Sequence, residues 1–121
     1  MNILHQEFYA RDPRVVAREL LGKILIRKLK GNILKVKLTE IEAYYGPDDP
    51  ASRAYGGKLT KISKCLFLPP GMTLIYMVHG GWLLNIITQE EGTPSAVLIR
   101  ACEPLSGINI MQANRKKENL Y

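Results

Sequence analysis

Cysteine is nearly absent from this chain of 121 residues: there are two, Cys65 and Cys102, and neither sits beside a second Cys or a His. That spacing excludes a disulfide framework and a clustered zinc site, and reads as two free thiols in a reducing compartment. Long apolar runs are absent too. No stretch approaches the roughly 20 residues that a membrane-crossing helix needs. The opening Met1-Asn2-Ile3-Leu4-His5 has no charged segment leading into an apolar run, so no secretory leader is read there. There is no internal repeat and no low-complexity tract. These absences set an expectation of a cytoplasmic, nucleoid-associated protein with no membrane partner.

What is present is one small domain's worth of sequence, with a modest core and ordinary apolar content for a mixed chain. Lys and Arg number 17 against 11 Asp and Glu, a net charge of +6. An excess of that sign favours a polyanionic partner. The basic residues are dispersed in groups: Arg27, Lys28 and Lys30; Lys35 and Lys37; Lys58, Lys61 and Lys64; Arg115, Lys116 and Lys117.

Asp12 before Pro13 is a helix cap followed by proline at the first helical position, and Gly22 fits the stop, which predicts a helix over 13–21. Strands are expected over 24–29 and 33–43, joined through Lys30-Gly31-Asn32, and over 72–78 and 82–88, joined at His79-Gly80-Gly81. A further strand is expected over 95–101, and Ser106 is read as the cap of a last helix carrying Ile108, Ile110 and Met111. Residues 45–70 show weak periodicity and form a connection long for so small a domain, of a size found in functional or disordered loops. The expected architecture is a single α+β domain around a curved, mostly antiparallel sheet.

Residues 40–49 read Glu-Ile-Glu-Ala-Tyr-Tyr-Gly-Pro-Asp-Asp. Before them Leu34, Val36 and Leu38 alternate with Lys35, Lys37 and Thr39. Strict period-2 geometry carries the apolar face onto Glu40, Glu42 and Tyr44. Carboxylates are rarely buried without a partner or a task. Geometry alone leaves two readings open: a strand running out of the core with solvated ends, or a carboxylate aimed into a pocket.

Those residues, with Ala51-Ser52, Pro69-Pro70-Gly71 and Tyr76, resemble the alkyladenine (3-methyladenine) DNA glycosylase family. Phe8-Tyr9-Ala10-Arg11-Asp12 leading to Ala17-Arg18-Glu19-Leu20-Leu21-Gly22-Lys23 is similar to its opening helix. Leu98-Ile99-Arg100-Ala101-Cys102-Glu103-Pro104-Leu105 is similar to a later strand. The resemblance implies hydrolysis of the N-glycosidic bond of flipped-out alkylated or deaminated purines in double-stranded DNA. It implies no cofactor, no metal and no obligate protein partner. It gives Glu42 the role of general base, with Arg100 holding the water. Tyr44 and Tyr76 sandwich the base, Asn85 screens its edge, and Arg53 faces it. His79 stands at the tip where the family carries a tyrosine wedge inserted into the helix. Two departures are visible: Arg53 replaces a pocket histidine, and Lys58-Leu59-Thr60-Lys61-Ile62-Ser63 lacks the family's usual basic form. The family continues beyond the position of Tyr121, so residues 1–121 are expected to be a glycosylase domain without its C-terminal part. A non-catalytic relative that binds damaged DNA is the alternative. A metal-dependent hydrolase using Glu40, Glu42, Asp48 and Asp49 is a remoter one.

Overall fold

The computed structural model of the chain describes residues 2–57 and 59–116. Two short helices, α1 (Gln6–Tyr9) and α2 (Pro13–Leu20), precede five strands and a last helix. The strands are β1 (Ile24–Leu29), β2 (Asn32–Tyr44), β3 (Thr73–Val78), β4 (Gly81–Ile87) and β5 (Ala96–Ser106), and α3 spans Ile108–Arg115. They form one sheet in the order β1-β2-β5-β4-β3, with every pairing antiparallel. This is the expected α+β architecture.

Helix α2 starts as its sequence dictates. The Asp12 carboxylate accepts from the Arg14 N–H at 2.8 Å, and Pro13 fills the first helical position. The helix ends at Leu20, one residue before the expected limit, and lays Val16, Ala17 and Leu20 on the sheet. Both hairpins turn through two residues in left-handed conformation, Lys30-Gly31 and His79-Gly80, with φ between 49° and 80°. Such turns match the twist of the flanking strands. Asn32 and Gly81, expected at the tips, instead open the return strands, paired with Leu29 and Val78.

Strict alternation along β2 fails, and this is the chief correction to the sequence reading. Leu38 lies in the core beneath α2, and Ile41 and Ala43 pack against that same core. The switch from even to odd positions is made by two compensating irregularities. Leu38 pairs with Cys102 and Glu40 with Ala101, leaving Thr39 unopposed; Ile41 pairs with Ile99, leaving Arg100 unopposed. Extra residues of this kind re-aim side chains. Glu42 and Tyr44 therefore leave the helix-covered face, and Glu40 is exposed.

The opposite face is covered by residues 45–70. The described residues of this segment are more ordered than its weak periodicity implies, with 3₁₀ turns at Tyr55–Gly57 and Ser63–Phe67. Ala54 and Leu66 from it pack on Ile87 and Ala96 as a second, smaller core. Its start is anchored: the Tyr45 hydroxyl donates to Asp12 at 2.5 and 2.7 Å, and Asp49 accepts from the N–H groups of Tyr45 and Ala51. Gly46 is required beside this anchor, because any side chain there would run into the Pro94 carbonyl.

The end of the described chain departs from expectation. Strand β5 continues to Ser106, and Pro104 lies within it, paired with Val36. Proline is tolerated there because β4 pairs with β5 only as far as Ile99, so the other edge of Pro104 needs no donor. Ser106 does not cap α3; Gly107, at φ 78°, precedes the helix without a side-chain cap. Lys58, Lys117 and Tyr121 lie outside the described residues.

Candidate functional site

Between the second face of the sheet and Ala51, Ser52, Arg53 and Leu66 of the covering segment lies a cavity of about 220 Å³. That is below the roughly 300–1,000 Å³ of pockets for drug-sized ligands, and suits a single heterocycle. Four of the five strands contribute to it: Tyr44 from β2, Tyr76 from β3, Asn85 from β4 and Leu98 from β5, with Arg53 and Leu66 from the covering segment. The shift in β2 is what brings Tyr44 here.

Glu42 stands two residues before Tyr44 and on the same face, opposite Leu98 in register. It is half-buried, and its Oε1 accepts the Tyr44 hydroxyl at 2.9 Å. Burial pushes the Tyr44 phenol above its ordinary range, and the bond to Glu42 pushes it further the same way. The phenol is thus a fixed donor, and it leaves the second carboxylate oxygen without a protein partner among the described residues. Arg100 is exposed. Left unopposed between Ile99 and Ala101, it stands near enough for its charge to oppose the rise at Tyr44.

Asn85 is buried at 4% exposure, and its Nδ2 donates to the Leu74 carbonyl at 3.3 Å, which fixes the orientation of the amide. The Arg53 guanidinium carbon lies 5.1 Å from the centroid of the Tyr76 ring, within cation–π range. So Tyr44, Arg53, Tyr76 and Asn85 line one cavity, Glu42 is tied to it through the Tyr44 hydroxyl, and Arg100 stands near Tyr44. His79 does not line the cavity; it is exposed at the β3–β4 turn, next to Val78, which does.

Sequence reasoning missed the apolar floor of Leu66, Leu74 and Leu98 and the tie between Asp12 and Tyr45. Asp49 and Ser52 could have signalled the turn that shapes the wall, since both residue types cap backbone N–H groups two residues on. They do so here, at Ala51 and Ala54. Among the described residues no three His, Cys, Asp or Glu side chains converge in a way that could hold a metal ion. With Asp49 engaged by backbone and Glu42 by Tyr44, the four acidic residues do not act as one group. A second cavity, of about 580 Å³, lies between residues 2–4 and β1; its wall has Lys23 and Lys28 but no carboxylate. No helix among the described residues is long and apolar enough to cross a membrane.

The sequence model of one family, Methylpurine-DNA glycosylase, matches residues 7–120. A protein of Desulfitobacterium hafniense strain Y51, named "Putative 3-methyladenine DNA glycosylase", is 43% identical over 122 residues, covering 100% of this chain and 60% of the relative. Proteins of the same name from Clostridium botulinum strains Hall and Langeland are 48% and 47% identical over 113 residues, covering 93% of the chain and 56% of each relative. The chain therefore spans less than two thirds of the length of the curated relatives it matches.

Proposed function

This chain belongs to the Methylpurine-DNA glycosylase family, and from that premise we propose that its cavity receives a damaged purine swung out of duplex DNA and cleaves its N-glycosidic bond. A duplex hides both C1′ and the base edges, so extrusion must come first. The extruded purine lies between Tyr44 and Tyr76, whose faces stack on any flat base. Asn85 reads its edge with a fixed amide. His79, on a left-handed turn at the hairpin tip, occupies the gap left in the helix.

The chemistry needs one proton acceptor. The C1′–N bond breaks as positive charge spreads over the sugar, and the electron pair of that bond leaves with the base. Water adds to C1′ and gives its proton to the free oxygen of Glu42. The same carboxylate opposes the sugar's developing charge. The Tyr44 phenol keeps the carboxylate oriented, and Arg100 holds the water from the rim. An alkylated purine carries its own positive charge and leaves readily. For a cationic base one carboxylate suffices where glycosidases use two; a neutral purine leaves with the electron pair as an anion and takes its proton from solvent.

The observation that carries this reading is the half-buried Glu42 carboxylate, held by a tyrosine that also lines the base-sized cavity. Glu42→Gln keeps the shape and removes the acceptor. Single-turnover excision from duplex DNA should fall by about 10²–10⁴ while affinity for damaged duplex is retained. Near-normal excision by the variant removes Glu42 from the mechanism. An unmodified chain that binds damaged duplex but never cuts it favours the non-catalytic alternative.

A further inference from the structure

The stacked pair of Arg53 and Tyr76 has a consequence for which purine the cavity accepts. The guanidinium lies over the ring of one of the two tyrosines that define the cavity. The one ion pair among the described residues is Arg11 with Glu19, so no carboxylate among them is paired with Arg53. A guanidinium keeps its charge at every accessible pH. The site thus contains a permanent positive charge on the surface that would attract a cationic base.

We propose that Arg53 is a specificity-determining residue that turns the cavity away from cationic alkylpurines and toward neutral, acceptor-rich purines; this rests on the glycosylase reading above. Two effects act in the same direction. First, the ring quadrupole of Tyr76 is already satisfied by a cation from the protein, so a cationic base gains less from stacking there. A second positive charge within several ångströms also meets repulsion that the half-buried walls screen poorly. Second, a purine with free O6 and N7 presents two acceptors to the guanidinium fork, the pattern by which arginine reads guanine. Hypoxanthine has both. A purine methylated at N7 has lost one acceptor and gained a charge.

Three duplexes that differ at one central position test the inference: 7-methylguanine (cationic), hypoxanthine (neutral) and an intact purine. Affinity and single-turnover excision are measured for the unmodified chain and for Arg53→Met, which keeps the aliphatic stem and removes the charge. Arg53→Gln is the second variant should the first fail to melt cooperatively. The unmodified chain should prefer hypoxanthine, and loss of the charge should move the ratio between the two lesions toward 7-methylguanine by roughly 10-fold or more. Differences inherent to the two bases cancel in that comparison. A uniform loss of affinity for all three duplexes, with the ratio unmoved, would mean that Arg53 serves a phosphate, and overturns the inference while the glycosylase reading stands. Failure of every protein to distinguish either lesion from intact duplex overturns that reading and this inference with it.

Discussion

At the scale of single residues, the site depends on side chains that hold other side chains. Tyr44, which lines the cavity, holds Glu42 beside it; Tyr45, its neighbour, points the other way and holds Asp12. Asp12 thus serves twice, as cap of α2 and as anchor for the segment that walls the cavity. Its carboxyl is held below the ordinary aspartate range, chiefly by the Tyr45 hydrogen bond, and that bond raises the Tyr45 phenol above its ordinary range. The signs follow from linkage. A lowered carboxyl contributes stability that is present above its unfolded value and lost as pH falls through its folded one. A raised phenol contributes stability that is present below its unfolded value and lost as pH rises through its folded one. Tyr45→Phe should therefore cost roughly 0.5–1 kcal/mol at neutral pH, since the pair lies at the surface. The difference should fade below about pH 4 and above about pH 10, when both proteins are melted across the range. A difference that stays constant with pH would show that Tyr45 acts through packing alone.

At the scale of elements, turn chemistry and capping were legible because they are local. Asp12-Pro13 announced α2, and the glycines of the two hairpins announced their tips. The direction of Glu42 was not legible. It depends on Thr39 and Arg100, far apart in sequence, each being left without a partner across β2 and β5. Alternation read along one strand cannot register an insertion that only pairing defines. The order within residues 45–70 was hidden similarly, because Ala54 and Leu66 are fixed by contact with Ile87 and Ala96 rather than by any periodicity of their own. The β3–β4 hairpin separates fold from function. His79 holds φ 50° before Gly80, a position that suits asparagine at least as well as histidine. His79→Asn should leave the melting temperature unchanged or slightly higher. If the imidazole fills the vacated stack, affinity for damaged duplex should drop by about 1–3 kcal/mol, the worth of one stacking platform. Undiminished affinity would exclude the hairpin tip as a wedge.

At the scale of the whole molecule, the sheet has a division of labour between its faces. One half-face is closed by α2 around Leu38 and Val97, and this core holds the strands in place. The other face carries the cavity, whose roof is a separately anchored segment. The site thus rests on strands, and only one wall rests on a loop. The charge distribution is a third, independent property. Basic residues outnumber acidic ones 17 to 11 and are scattered, so no single cluster carries the field. A partner recognised by phosphate neutralisation releases counterions in proportion to contacts made, about 0.9 in the slope of log affinity against log salt per contact on duplex DNA. A domain of this size making roughly three to six contacts should show a slope of about −3 to −5. Between ~50 and ~200 mM salt, affinity for duplex should then fall by about 1.5 to 3 orders of magnitude. Contacts to phosphate are common to damaged and intact duplex, whereas stacking in the cavity belongs to the damaged one alone. The preference for damaged over intact DNA should accordingly hold steady while both affinities fall together. A preference that vanished with salt would place recognition of the lesion on the charged surface instead of in the cavity, and a flat salt dependence would argue against nucleic acid as the partner.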